Sequence, residues 1–134
     1  MLGTGIALAG ANESEEKGVV LAADMARLNL LGTQLVVLSA CESGLGGSSF
    51  EDGLLGMQRS LTLAGARSQL LTLWKVSTEA TVALMEEFYK RLKEPGRTKV
   101  EALRMAKSLM RDQRRAEWEW AGFVLYGDPG PLGQ

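Results

Sequence analysis

The segment Gln34–Ala40 (QLVVLSA) most constrains what this chain can fold into. It is an uninterrupted, largely apolar run with two adjacent β-branched residues, Val36 and Val37, which is typical of a strand covered on both faces of a sheet. The run leads through Cys41 into the glycine-rich stretch ESGLGGSS and then into a segment with helical spacing. A buried strand, a glycine-rich loop and a helix in this order predict an α/β fold.

The remaining sequence continues this alternation of strands and helices. Apolar runs predict further strands at Thr4–Ala9, Val19–Leu21, Ser68–Trp74 and Phe123–Tyr126. Helical spacing predicts helices at Ala22–Leu28, Asp52–Ala64, Glu79–Lys93 and Thr98–Arg115. We therefore expect an α/β sandwich with a mainly parallel sheet. Because no linker, repeat or low-complexity segment interrupts the pattern, we expect a single domain over residues 1–134.

Local signals define several helix ends and faces. Gly65 is a stop signal for the helix before it, Ser77 or Thr78 is an N-cap, and Thr98 with Glu101 has the spacing of a capping box. The predicted apolar stripe of the helix after Ser77 is Val82, Met85, Tyr89 and Leu92, with Leu84 and Phe88 beside it. That of the following helix is Leu103, Ala106, Leu109 and Met110.

The charges argue against binding to nucleic acid in bulk, because the net charge is −1. Residues 1–58 carry a net charge of −5 and residues 59–134 one of +4, which suits elements that pack together. No apolar stretch reaches the roughly 18 residues of a membrane span, and the first ten residues lack the basic start of a signal peptide. With a lone cysteine, this favours a cytoplasmic protein that binds neither nucleic acid nor membrane.

One cysteine and no histidine restrict the chemistry that these residues can perform. They allow no internal disulfide, no cysteine-rich zinc site and no histidine-ligated metal, so we expect no metal and no cofactor. They also exclude a Ser–His–Asp triad or a His–Cys dyad formed within the chain. Nucleophilic catalysis here requires an unusual base or one outside these residues.

Cys41 is nevertheless the leading candidate for a reactive residue. It stands where the strand Gln34–Ala40 meets the glycine-rich loop, and the carboxyl ends of strands are where α/β sheets bind ligands. Backbone N–H groups in such a turn stabilise an oxyanion, and a nearby helix start lowers the pKa of a thiol. The alternative is a small buried apolar cysteine, which spacing alone favours slightly.

Other patterns have ordinary explanations. The glycine-rich loop lacks the lysine of a P-loop and the third glycine of a dinucleotide motif. Ser43 is not in a nucleophile elbow, because Cys41 replaces the first glycine of that motif. Trp74, Trp118 and Trp120 are expected to be core or interface aromatics. Four basic residues are spaced so that they lie on one face of a predicted helix: Arg104, Lys107, Arg111 and Arg114. This face is either an anion-binding patch or, as we favour, a solvated helix face.

Several motifs in order along the chain resemble the CHAT domain, a caspase-like module often attached to tetratricopeptide repeats. They are LVVLSACESGLG (Leu35–Gly46), EDGLLGMQRSLTLAGARS (Glu51–Ser68), LLTLWKV (Leu70–Val76), EAT (Glu79–Thr81), Phe88-Tyr89, EALRMA (Glu101–Ala106) and WAGFVLYGD (Trp120–Asp128). The resemblance implies a caspase-like three-layer sandwich and a cysteine endopeptidase acting on a protein or peptide.

The resemblance also implies roles for individual residues. Cys41 matches the nucleophile, which attacks a peptide carbonyl to form a thioester, and the oxyanion site includes the Cys41 N–H and the loop at Gly44. Relatives use acidic residues to bind a basic side chain of the substrate. Here Glu79 is the charged residue kept after LWKV, and Asp52 and Trp74 are further pocket candidates.

The family histidine precedes the first strand predicted here. Caspases place it about 50 residues before the cysteine, whereas Cys41 has 40 residues before it. We therefore expect this chain to be the C-terminal part of the domain, with the first strands and the histidine upstream, along with tetratricopeptide repeats. The alternative is an inert caspase-like module for protein association or regulation. An exposed sheet edge also predicts a possible homodimer.

Overall fold

A computed structural model of the chain describes residues 5–8, 18–39 and 50–133. Helices and strands are mixed along these ranges, so the predicted α/β class is confirmed. No helix within them is both long enough and apolar enough to cross a lipid bilayer. In chain order the elements are β1 (Gly5–Ala7), β2 (Val19–Leu21), α1 (Ala22–Met25), β3 (Val36–Leu38), α2 (Phe50–Leu63), β4 (Ser68–Thr72), α3 (Thr78–Leu92), α4 (Lys99–Asp112), a 3-10 turn (Glu117–Glu119) and β5 (Phe123–Gly127).

Contacts between residues divide the chain into two compact units. The first unit contains β1, β2, α1 and α2, and the second contains β3, β4, β5, α3 and α4. The single domain expected over residues 1–134 stays a prediction.

In the first unit, β1 and β2 pair antiparallel, with Gly5 opposite Leu21 and Ala7 opposite Val19. A Cβ atom on Gly5 would lie 2.6 Å from the carbonyl oxygen of Val20, so this position needs a glycine. The apolar side chains that hold the unit together come from both strands and both helices: Ile6, Val20, Ala22, Met25 and Met57.

The predicted stop at Gly65 is confirmed. Gly65 has a φ of +103°, and its N–H donates to the Thr62 carbonyl at 3.0 Å while the Ala66 N–H donates to the Leu61 carbonyl at 3.1 Å. These two bonds are those of a Schellman motif, in which a left-handed residue allows the chain to satisfy the last helical carbonyls. A glycine adopts this conformation without the steric cost of a Cβ atom.

In the second unit, the sheet has the strand order β3-β4-β5. β3 runs parallel to β4, with Val37 opposite Leu70, and β5 runs antiparallel to β4, with Leu125 opposite Leu70. The sheet is therefore mixed, whereas a mainly parallel one was expected. Two consecutive helices separate β4 from β5, and an antiparallel helix pair returns the chain to the edge that it left, so β5 runs back along β4.

α3 and α4 form the apolar core of the second unit together with the sheet. α3 buries Ala80, Leu84, Phe88 and Leu92, a stripe with steps of four residues. The predicted α3 stripe was partly wrong, because Val82 and Tyr89 are 49% and 42% exposed. On α4 the prediction fails at Leu109, which is 37% exposed. The other core members are Ala102, Leu103, Ala106 and Met110 on α4, with Leu70, Val76 and Phe123.

α4 ends three residues before its predicted end at Arg115. Arg114 has a φ of +58°, its N–H donates to the Arg111 carbonyl at 2.8 Å, and the Arg115 N–H donates to the Met110 carbonyl at 3.1 Å. This is the same pair of bonds that ends α2, with arginine in the position that usually favours glycine. The sequence gives no glycine signal at this turn, which explains the incorrect boundary.

The predicted caps of α3 and α4 are confirmed. The Ser77 hydroxyl accepts a hydrogen bond from the Ala80 N–H at 3.2 Å. At α4, the Thr98 hydroxyl accepts from the Glu101 N–H at 3.2 Å, and the Glu101 carboxylate accepts from the Thr98 N–H at 3.1 Å. The backbone N–H of Thr98 and then its hydroxyl lower the pKa of Glu101, because both donate to the ionised carboxylate.

Thr98→Ala is expected to lower the free energy of unfolding by about 1 kcal/mol, because it removes the acceptor of the capping box. Urea denaturation followed by circular dichroism at 222 nm measures the change. Thr81→Ala, inside α3, is the matched control, since the Thr81 hydroxyl caps no helix. An equal loss in the two variants would contradict the role of the cap.

Candidate active site

The carboxyl ends of β3 and β4 lie at one edge of the sheet, because these strands are parallel and Leu38 is opposite Leu71. Such an edge is where open α/β sheets bind ligands. Cys41 follows Leu38 by three positions in the sequence, and Trp74 follows Thr72 by two. Cys41 and Gly44 themselves lie outside the described residues.

Trp74 is fixed at this edge by two contacts. Its indole N–H donates to the Trp118 carbonyl at 2.7 Å, and its ring lies directly against Gly122, where a Cβ atom would be 2.7 Å from Cε2. The neighbouring Leu73 N–H donates to the Gly122 carbonyl at 2.9 Å, which extends the pairing of β4 toward β5. Trp74 remains 38% exposed, so part of the residue is accessible to solvent.

Arg115 connects the start of α3 to the chain that precedes β5. Its guanidinium lies 3.1 Å from the Glu79 carboxylate and 3.4 Å from that of Glu119. The Arg115 carbonyl accepts a hydrogen bond from the Trp120 indole N–H at 3.3 Å. Residues 115–122 lie between α4 and β5, and we refer to them as the 115–122 segment. Glu79 contacts it through Arg115, and Trp74 contacts it through Trp118 and Gly122.

The predicted pocket residues therefore have different outcomes. The structure brings Trp74 and Glu79 to the same segment of chain, and the Glu79 side chain is 82% exposed. Asp52 is the third residue of α2 by its backbone. Within the ranges that the structure describes, no three His, Cys, Asp or Glu side chains are grouped to hold a metal ion. The pocket itself stays a prediction.

Arg115 and Gly122 are parts of this arrangement that the sequence alone does not indicate. Gly122 was within the motif WAGFVLYGD, but its contact with Trp74 joins residues 48 positions apart. Arg115 was assigned to a helix, and nothing in its neighbourhood in the sequence indicates a bond to Glu79. Trp118, expected in a core or an interface, is 54% exposed, and its carbonyl group accepts the hydrogen bond from the Trp74 indole.

Gly122→Ala is expected to displace the Trp74 indole, because the added methyl group would overlap the ring. Overpacking of this kind costs about 1–3 kcal/mol of unfolding free energy, and the tryptophan emission maximum should shift as the bond to Trp118 breaks. Gly56→Ala in α2 is the control, since a Cβ atom there meets nothing within 4 Å. An unchanged emission spectrum and stability in Gly122→Ala would contradict this close contact.

The comparison with protein families agrees with the resemblance of the motifs. A sequence profile described as the CHAT domain matches residues 2–128. Neither the curated proteins nor the solved structures give a match to the chain. Because the matched residues cover nearly its whole length, the chain belongs to the CHAT domain family, which is related to caspase-like peptidases.

Proposed function

We propose that this chain carries the nucleophile of a CHAT-type cysteine endopeptidase, and that the nucleophile is Cys41. The observation that carries the proposal is the position of Cys41, three residues after the parallel strand β3 in a chain of this family. Parallel strands present their carboxyl ends at a common edge, so a residue that follows one of them enters the edge where substrates bind. The substrate is a protein or a peptide.

In the proposed reaction, the Cys41 thiolate attacks a peptide carbonyl and forms a carbon–sulfur bond. The tetrahedral oxyanion collapses to a thioester as the carbon–nitrogen bond breaks, and the amine leaves with a proton from a general acid. Water then hydrolyses the thioester, which releases the acid product and the thiol. Backbone N–H groups of Cys41 and of the loop at Gly44 are the proposed oxyanion donors.

In caspase-like enzymes one histidine serves as both general acid and general base. Such a histidine must come from outside these 134 residues, because they contain none. An imidazole suits both steps, since its pKa near neutrality allows it to take a proton from the thiol and return one to the amine. The proposal therefore assigns Cys41 and the oxyanion donors to this chain, and the histidine to the rest of the protein.

The test uses the full-length gene product and a peptidyl acyloxymethyl ketone that ends in arginine. This reagent reacts with a cysteine that an enzyme has activated, and Cys41 is the single cysteine among these residues. We expect wild-type protein to be labelled and to cleave the matching fluorogenic peptide. Cys41→Ala should lose both signals, with a decrease in kcat/KM of at least about a thousandfold.

Thr62→Ala, an exposed substitution on α2, is the matched control and should keep both signals. Circular dichroism of Cys41→Ala shows whether the fold is intact. Equal labelling and cleavage in wild type and Cys41→Ala would reject Cys41 as the nucleophile. Absence of both signals from wild type, with Cys41 still accessible to iodoacetamide, would identify an inert module for protein association.

The same proposal gives Glu79 a role in selecting a basic side chain of the substrate, with Asp52 and Trp74 as further pocket residues. Glu79 forms an exposed ion pair with Arg115, and such pairs contribute only about 0–1 kcal/mol. A substrate guanidinium can therefore replace Arg115 at Glu79 at little cost. The proximity of Glu79 to the Trp74-bound 115–122 segment supports this role.

Glu79→Gln is expected to lower kcat/KM severalfold for peptides cleaved after arginine and to leave those cleaved after norleucine unchanged. The physical reason is the loss of a charge-assisted contact that a neutral substrate does not make. Glu86→Gln removes the same charge from an exposed position of α3 and serves as the control. An equal decrease for both substrates would contradict a role for Glu79 in selectivity.

A further inference from the structure

The outer face of α4 carries a groove that the proposed peptidase reaction does not use. We call it the α4 groove. It has a volume of about 340 Å³, and apolar side chains form much of its surface. Its lining residues are Val100, Leu103, Arg104, Lys107, Ser108, Arg111 and Trp120. All of them belong to the second unit, so the groove is formed within one compact part of the molecule.

Three cations lie along one side of the α4 groove. Arg104, Lys107 and Arg111 are spaced by three and four residues on α4, so they face the same direction and extend over about 10 Å along the helix axis. Arg104 and Arg111 are exposed. Lys107 is half-buried, and its ammonium group donates to the Ala121 carbonyl at 3.1 Å. Burial lowers the pKa of Lys107, because the charged form loses solvation there.

Several other cations of the second unit already have carboxylate partners, whereas Lys75, Lys93 and Arg114 form no ion pair within 4.0 Å among the described residues. Arg91 and Arg97 bind Glu94, Arg115 binds Glu79 and Glu119, and Lys99 lies 3.6 Å from Asp128. Among the described residues, neither Arg104 nor Lys107 forms an ion pair within 4.0 Å, although the Glu101 carboxylate, three residues before Arg104, attracts it over a longer distance. Arg111 has only its sequence neighbour Asp112, at 3.4 Å between two exposed side chains. The α4 groove therefore presents three cations whose charge Glu101 and Asp112 offset only at its ends.

The apolar part of the α4 groove is partly exposed. Val100 is 48% exposed, whereas Leu103 is 6% exposed. The Trp120 indole N–H donates to the Arg115 carbonyl at 3.3 Å, and its ring lines the groove together with the cations. An aromatic surface next to charged groups is a favourable anchor for one apolar side chain of a partner.

A second depression lies on the other side of Arg104. It has a volume of about 300 Å³ and shares Arg104 and Ser108 with the α4 groove. Its other lining residues are Arg91, Met105, Leu109 and the acidic residue Asp112. Leu109 is the α4 residue that was expected in the core and is 37% exposed. Arg104 thus stands between two depressions that each contain apolar surface, so a ligand that lies across α4 would contact it from either side.

We propose that the α4 groove binds a short acidic segment of a partner protein, with one large apolar side chain in the groove and carboxylates on Arg104, Lys107 and Arg111. The argument rests on charge complementarity and on the apolar surface beside the cations. A nucleic acid is disfavoured, because three cations over about 10 Å meet few phosphates and the net charge is −1. A membrane is disfavoured because the apolar surface lies in a groove.

The test measures fluorescence polarisation of the fluorescein-labelled peptide DEFDEL with the full chain. We expect DEFDEL to bind at least about tenfold more tightly than its neutral counterpart NQFNQL and than DEADEL, which lacks the aromatic side chain. Arg104→Glu should weaken binding of DEFDEL by about tenfold or more, because it replaces an attractive charge by a repulsive one. Arg111→Glu is a second variant with the same expected direction.

Lys93→Glu changes the net charge by the same amount at an exposed position after α3, and it should leave the affinity for DEFDEL unchanged. Circular dichroism confirms that each variant keeps its fold. Equal binding of DEFDEL and NQFNQL, or equal affinity in wild type and Arg104→Glu, would overturn the proposal. It would also be overturned if a single-stranded DNA 12-mer, phosphatidylserine vesicles or a second copy of the chain bound this face in an Arg104-dependent manner while DEFDEL did not.

Discussion

The second unit depends on the pairing of β4 with a strand on each side. All five residues of β4 are buried. β5 pairs with all of them in antiparallel register, and β3 pairs in parallel with the central three, residues 69–71. Unpaired backbone groups in such a position would cost about 1–3 kcal/mol each. The direction of β3 relative to β4 places the carboxyl ends of both strands at one edge of the sheet, and the return of β5 brings the 115–122 segment to Trp74.

Local chemistry explains the parts of the fold that the sequence predicts well. A hydroxyl side chain accepts from an N–H three residues later at Ser77 and at Thr98, and Gly65 ends α2 in a left-handed conformation. Each of these signals acts within a few residues, so it can be identified without knowledge of the tertiary structure. Arg114 adopts the same left-handed conformation without such a signal, and the boundary of α4 was accordingly predicted too late.

Contacts between distant residues explain the parts that the sequence did not predict. Several apolar stripes are possible on α3, and the surfaces of α4 and the sheet select the one through Ala80, Leu84 and Phe88, which leaves Val82 and Tyr89 exposed. The direction of β5 follows from two successive helices, a feature visible in the sequence but not used in the expectation of a mainly parallel sheet. At the candidate site, Cys41 and Trp74 were identified from strand ends, whereas the partner of Glu79 comes from a position 36 residues away.

Two arginines of the second unit, Arg115 and Arg104, differ in their contacts. Arg115 is bound between Glu79 and Glu119 and thereby attaches the 115–122 segment to the start of α3. Arg104 points away from the core into solvent, next to Trp120 and without a carboxylate partner among the described residues. Because an exposed ion pair contributes little to folding, the contact between Arg115 and Glu79 adds only about 0–1 kcal/mol to stability. Arg104 forms no close ion pair among the described residues and interacts with Glu101 only over a longer distance, so its guanidinium can bind an external carboxylate.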